Sequence, residues 1–210
     1  MDCDIVNLTD EDVIERIIKL NEGLASFWGN SRGWAPIEAA KILTKSRLDW
    51  QVSLSRQLKL FLNPIIEKEA GTLILAWSAL GSLTEGTMKL FLSVWYNDYK
   101  NDIKAFKKKN DKIISPDTLT LEKLRVFFAD SIYKENTRKL WEIEGAIDWI
   151  DWVLFIQQKR NAIHAFEDRD IGDFDIFFQN VRLYLQFLRN ITDDFPYPDM
   201  EFGTYKPSEI

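Results

Sequence analysis

Apolar residues recur at three- and four-residue steps along most of this chain, and no stretch alternates as a strand would. Val13, Ile14, Ile17, Ile18 and Leu24 form a first helical stripe that runs to about Trp28. Thr9-Asp10-Glu11-Asp12 predicts its start, a hydroxyl N-cap followed by acids where the helix dipole favours them. Gly29-Asn30-Ser31-Arg32-Gly33 stops it. A second helix is expected from Pro36, through Ala39, Ile42, Leu43, Trp50, Leu54 and Leu58 to Phe61, where Asn63-Pro64 interrupts or ends it. A further long helix begins at Ile65 or Glu69 and reaches Tyr99. Leu73, Trp77, Leu80, Thr84, Thr87, Phe91 and Val94 make one continuous face of it. Gly71, Gly81 and Gly86 interrupt that helix, each at a cost of about 1 kcal/mol relative to alanine. They also let a neighbour approach closely, which predicts a tightly packed helix pair.

The next segment, residues 97–112, is polar and lysine-rich. It reads as a solvated connector or frayed helix end, or alternatively as a phosphate-attracting edge carried by Lys107, Lys108 and Lys109. Ser115-Pro116-Asp117 is a turn, and a short helix from Leu121 to Phe128 follows. Another long helix is expected from about Ser131. Its stripe, Ile143, Ile147, Ile150, Leu154, Gln157, Asn161 and His164, is apolar for four members and polar for three. An acidic loop over 167–175 contains Gly172. A last helix carries Phe174, Phe177, Phe178, Val181, Leu185 and Leu188, and 193–210 reads as an extended tail. The pattern predicts an all-α, up-and-down helical bundle at 65–192, with an N-terminal helical extension at 1–64 packed on it.

Composition narrows the function classes. The chain is 46% hydrophobic and 29% charged, with eight Trp and fourteen Phe, which suits one sizeable folded core. A formal charge of −6 means that any nucleic-acid contact must come from a local basic patch. Cys3 is the only cysteine, so no internal disulfide framework exists. No basic leader followed by an apolar run opens the chain, and the apolar run from Thr72 to Leu83 is too short for a membrane span. The expectation is a soluble, cytoplasmic protein with no membrane contact. With one histidine, a zinc site is not expected. The acids of the 167–175 loop do not follow the calcium-loop order, and no phosphate loop is present. No metal or cofactor is predicted. Trp141, Trp149 and Trp152 read as core or seam residues in preference to a base-stacking platform.

The chemistry concentrates in Gln158-Lys159-Arg160-Asn161-Ala162-Ile163-His164-Ala165-Phe166, which holds the only histidine. In a regular helix, Arg160, Asn161 and His164 share one side, whereas Lys159 points away. A neutral histidine can take a proton near pH 7, and an arginine stabilises charge growing on phosphate oxygens. Together they suit metal-free RNA cleavage by the 2′-hydroxyl. A two-fold dimer would supply the second histidine that such a reaction can use. The structural alternative is a histidine that caps the end of its helix.

The string Lys159-Arg160-Asn161-Ala162-Ile163-His164-Ala165-Phe166, near the end of the penultimate long helix of an all-α chain, resembles the mark of the HEPN domain family. The resemblance covers roughly 65–191 and implies a compact helical bundle, often a homodimer with the motif at its interface. It also implies a metal-independent endoribonuclease or an inactive binding relative. Such domains occur in prokaryotic toxin–antitoxin and abortive-infection systems, which makes an antitoxin or other protein a possible partner beside RNA. Arg160 and His164 take the catalytic roles, with Asn161 as polar companion. Three residues separate Arg160 from His164, fewer than is common in the family, and four separate Lys159 from it. The motif cation is therefore Arg160 or Lys159, and helix geometry favours Arg160. The resemblance also admits Glu85 as an acidic residue that meets the motif from a neighbouring helix; its alternative partner is Lys89 at i,i+4.

Overall fold

The computed structural model describes residues 3–130, 148–164, 166 and 168–196. They form an all-α bundle, α1 (Cys3–Val6), α2 (Asp10–Trp28), α3 (Ile37–Leu43), α4 (Leu48–Gln57), α5 (Ala70–Val94), α6 (Tyr96–Asn101), α7 (Leu121–Asp130), α8 (Trp149–Arg160) and α9 (Phe174–Asp193). The helix expected from Ser131, with Trp141, Ile143 and Ile147, lies outside the described residues up to Asp148, as does the tail beyond Pro196.

α5 is the axis. Its predicted face is buried throughout, from Leu73 and Trp77 to Phe91 and Val94. The contacts Trp77–Phe177 and Thr87–Tyr184 follow the same order on both helices, and Phe91–Phe195 continues it just past the end of α9, so α5 and α9 run parallel. α8 runs antiparallel to α9: Trp149 and Trp152 pack on Phe187, and the Trp152 indole donates to Asn180 further back along α9. Trp149 and Trp152 are thus core residues. α2 starts with the expected Thr9–Asp12 capping box and lies along α9. Arg182 on α9 holds the N-terminal segment through the carbonyls of Ile5 and Leu8 and the carboxylate of Asp10. One apolar core extends from Ile5 to Phe195 and includes residues of the first helices.

The helix expected to reach Tyr99 ends at Val94, because Trp95 leaves helical geometry at φ −90° and ψ 36°, and α6 starts after it. Further elements also depart from the expected pattern. The expected 36–61 helix is broken at Thr44–Arg47. There the Thr44 and Ser46 hydroxyls donate to the carbonyls of Ala40 and Leu43 and draw the backbone out of helix. Trp50, expected on the apolar stripe, is 58% exposed beneath the Arg47 guanidinium. The lysine-rich segment is neither a frayed helix nor a plain connector after α6. It is a small hairpin in which Lys107 pairs with Ile113 and the Ile114 amide donates to the Phe106 carbonyl. Asp111 takes the left-handed turn position at φ 58°.

Candidate active site at the end of α8

Asp148 caps α8 by accepting from the amides of Ile150 and Asp151. The buried face is Trp149, Trp152, Val153, Ile156 and Lys159. The Ile150, Leu154, Gln157 and Asn161 stripe lies on its half-buried flank. Lys159 therefore ends the core face. Its ammonium donates to the Asp170 carbonyl at 2.8 Å and meets the Asp170 carboxylate at 3.1 Å, with the Phe155 ring beneath it. This tie closes the loop onto α9, and it uses Lys159 as structure.

Arg160, one step round the helix, faces α5. A Cβ built on Gly81 would lie 2.7 to 3.0 Å from three carbons of the Arg160 stem. Only glycine at that position leaves room for the stem to lie flat on α5. One turn further along α5 stands Glu85, and Arg160 Nη1 donates to Glu85 Oε2 at 2.5 Å. The other oxygen, Oε1, accepts from Lys89 Nζ at 2.7 Å. Both roles considered for Glu85 are thus filled at once, partner of Lys89 and neighbour of the motif. Burial raises the Glu85 pKa, but the hydrogen bonds from Lys89 and Arg160 outweigh it and hold the carboxyl below its ordinary value. The Glu85 side chain is 17% exposed and that of Arg160 is 31% exposed, so the pair opens to solvent. Two cations and one carboxylate leave a net positive charge at this opening, suited to a phosphate.

Asn161 begins a tighter 3-10 turn, Asn161–His164, anchored by the buried Ala162. At three residues per turn, Asn161 and His164 share a side, while Arg160 sits about 120° round from His164. The expected common face of all three is therefore divided between Arg160 and the Asn161–His164 pair. His164 is exposed. Ile163 beside it is 45% exposed and Phe166 is 98% exposed, so apolar surface flanks the histidine. Lys107, Lys108 and Lys109 are exposed on the hairpin, and no hydrogen bond or ion pair among the described residues joins them to the Arg160 group.

Sequence reasoning missed a second polar cluster on α5. Gln51 of α4 reaches α5 at Gly86, where a Cβ would come within 2.1 Å of its amide oxygen. Its Nε2 donates to the Leu83 carbonyl at 2.7 Å and lies 3.3 Å from Thr87 Oγ1. The Thr87 and Tyr184 hydroxyls are 3.0 Å apart. Burial pushes the Tyr184 hydroxyl up to about 12 against the hydrogen bonds of Thr87, Asn21 and Gln51. A mid-helix glycine on an otherwise apolar face was its one sequence signal.

Among the described residues no group of three or more His, Cys, Asp or Glu is placed to hold a metal ion. No helix among them is long and apolar enough to cross a membrane. Fold and geometry define an all-α helical bundle with an Arg–Glu–Lys cluster at the end of α8 and an exposed histidine in the 3-10 turn that follows it. Comparison with protein-family models, with curated proteins and with solved structures finds no match to this chain.

Proposed function

We propose that this chain is an HEPN-like, metal-independent endoribonuclease of a defence or toxin–antitoxin type, working as a cytoplasmic homodimer on RNA. The observation that carries the reading is the Arg160–Glu85 contact at 2.5 Å, made possible by Gly81 and left open to solvent. An arginine held flat and oriented by a carboxylate on a second helix is ready to exchange part of its hydrogen bonding for a phosphate. His164 takes the 2′-hydroxyl proton. The oxygen then attacks the adjacent phosphorus, and the 5′-oxygen leaves with a proton. The products are a 2′,3′-cyclic phosphate and a 5′-hydroxyl. Arg160 stabilises the charge that builds on the phosphoryl oxygens. The exposed Ile163 and Phe166 beside His164 fit a surface covered by a second copy, which would bring a second histidine as the acid for the leaving oxygen.

The test is incubation of the purified chain with RNA in EDTA, beside His164→Ala and Arg160→Ala. Cleavage ending in 2′,3′-cyclic phosphate, lost in both variants, is expected; cutting unchanged in His164→Ala would overturn the proposal. A second reading, a non-catalytic RNA-binding, nucleotide-binding or dimerisation module, is favoured by the 3-10 turn that rotates His164 away from Arg160. It predicts RNA retention without cutting in the same assay.

A further inference from the structure

Beyond the α8 site, a cleft of about 240 Å³ opens where the α3–α4 turn meets α5. Leu48 and the edge of Leu90 form its apolar part, and Lys45, Arg47 and Lys89 line it beside one carboxylate, Asp117; Lys89 is already paired with Glu85 and Arg47 with Asp49. Lys45 is exposed and has no ion-pair partner among the described residues. Arg47 is held in place by both oxygens of Asp49, at 2.8 and 2.6 Å, and by the Trp50 ring at 4.1 Å. Its pair with Asp49 is solvent-exposed, so a phosphate can replace it with little loss. The Trp50 and Gln51 amides at the α4 start already donate to the Arg47 carbonyl, at 2.9 and 3.3 Å, so the cations are the anion seat.

We propose that this cleft binds a nucleoside phosphate monoester, with the phosphate on Lys45 and Arg47 and the nucleoside against the leucines. The volume lies below the roughly 300 Å³ at which pockets for drug-sized ligands begin, which matches a single nucleotide left partly in water. An apolar floor under a cationic rim selects a ligand that carries one anion on a flat, weakly polar body. Bare phosphate lacks the body, and a nucleoside lacks the anion. The monoester can come from a free mononucleotide or from the 5′ end of an RNA strand.

Calorimetric titration of the full chain distinguishes these, with UMP, uridine, inorganic phosphate, 5′-phosphorylated hexauridine and 5′-hydroxyl hexauridine as probes. UMP or the phosphorylated strand should bind at least about tenfold more tightly than its phosphate-free counterpart, and more tightly than phosphate alone. Tight UMP identifies the free nucleotide, and a tight phosphorylated strand with weak UMP identifies the RNA end. Lys45→Ala and Arg47→Ala should each weaken binding by about tenfold with an unchanged melting temperature. His164→Ala should bind as the parent does, which separates this site from the cleavage site whether or not the chain cuts RNA. Equal binding of phosphorylated and unphosphorylated probes, insensitivity to both cation variants, or loss in His164→Ala would each overturn the proposal.

Discussion

α5 carries two polar clusters little more than a turn apart, and they have opposite characters. At Gly86, Gln51, Thr87 and Tyr184 satisfy one another within the protein; Thr87 and Tyr184 are fully buried. At Gly81, Arg160, Glu85 and Lys89 form a charged line with a solvent-facing side and a net positive charge. Each uses a glycine to let a long side chain from another helix lie on α5. The first has its hydroxyls buried and its hydrogen bonds turned inward, with only Gln51 reaching the cleft beside Gly86, so it acts on stability and on the choice of one packing arrangement. The second has a cation that can still serve a ligand. Polar groups on a core helix become a functional candidate when their hydrogen bonding ends at solvent.

The contrast breaks most sharply in activity. His164→Ala and Arg160→Ala should each lower RNA cleavage by about 10² or more while leaving the denaturation midpoint near that of the parent. Gln51→Ala should do the reverse. It leaves Tyr184 and Thr87 short of a partner in the core and costs about 1–3 kcal/mol, read by urea denaturation, with activity per folded molecule kept. An activity loss in Gln51→Ala larger than its loss of folded protein would merge the two clusters into one unit.

Smaller effects sharpen the division. Lys159→Met should cost about 1 kcal/mol through loss of its bonds to Asp170, with RNA cleavage retained. A variant that folds as the parent does but no longer cuts would hand the catalytic cation to Lys159. The clusters should also fail at opposite ends of the pH scale. The Glu85 carboxyl is held below its ordinary value of 4.5, so its stabilising contribution is complete above that pH and is lost as pH falls through the lower folded value. Glu85→Gln should flatten that part of the acid limb of stability against pH. The Tyr184 hydroxyl is raised from 10 to about 12, so its contribution is complete below pH 10 and fades as pH climbs towards 12. Tyr184→Phe should flatten part of the alkaline limb in the same denaturation series.

Much of this was legible beforehand where a signal was local. The α5 stripe, the Thr9 capping box and the all-α class follow from periodicity and caps, which need only near neighbours in sequence. The breaks at Thr44–Arg47 and after Arg160 were not legible, because the three- and four-residue spacing continues through both while the backbone changes its hydrogen bonding. Lys107 to Lys109 looked like a helix end because a two-residue backbone pairing leaves no alternation to read.

The sequence by itself determined the all-α class, the buried faces of α2, α5 and α9, the concentration of chemistry at 158–166, and glycines that asked for close neighbours. Tertiary structure decided which neighbours came. It set Lys159 into the core face and Arg160 onto Gly81, although the two are adjacent in the chain. One step along an α-helix turns a side chain by about 100°, and only the position of α5 says which of two adjacent cations meets a carboxylate. It also brought Gln51, Thr87 and Tyr184 together across 133 positions, a contact that no local pattern encodes.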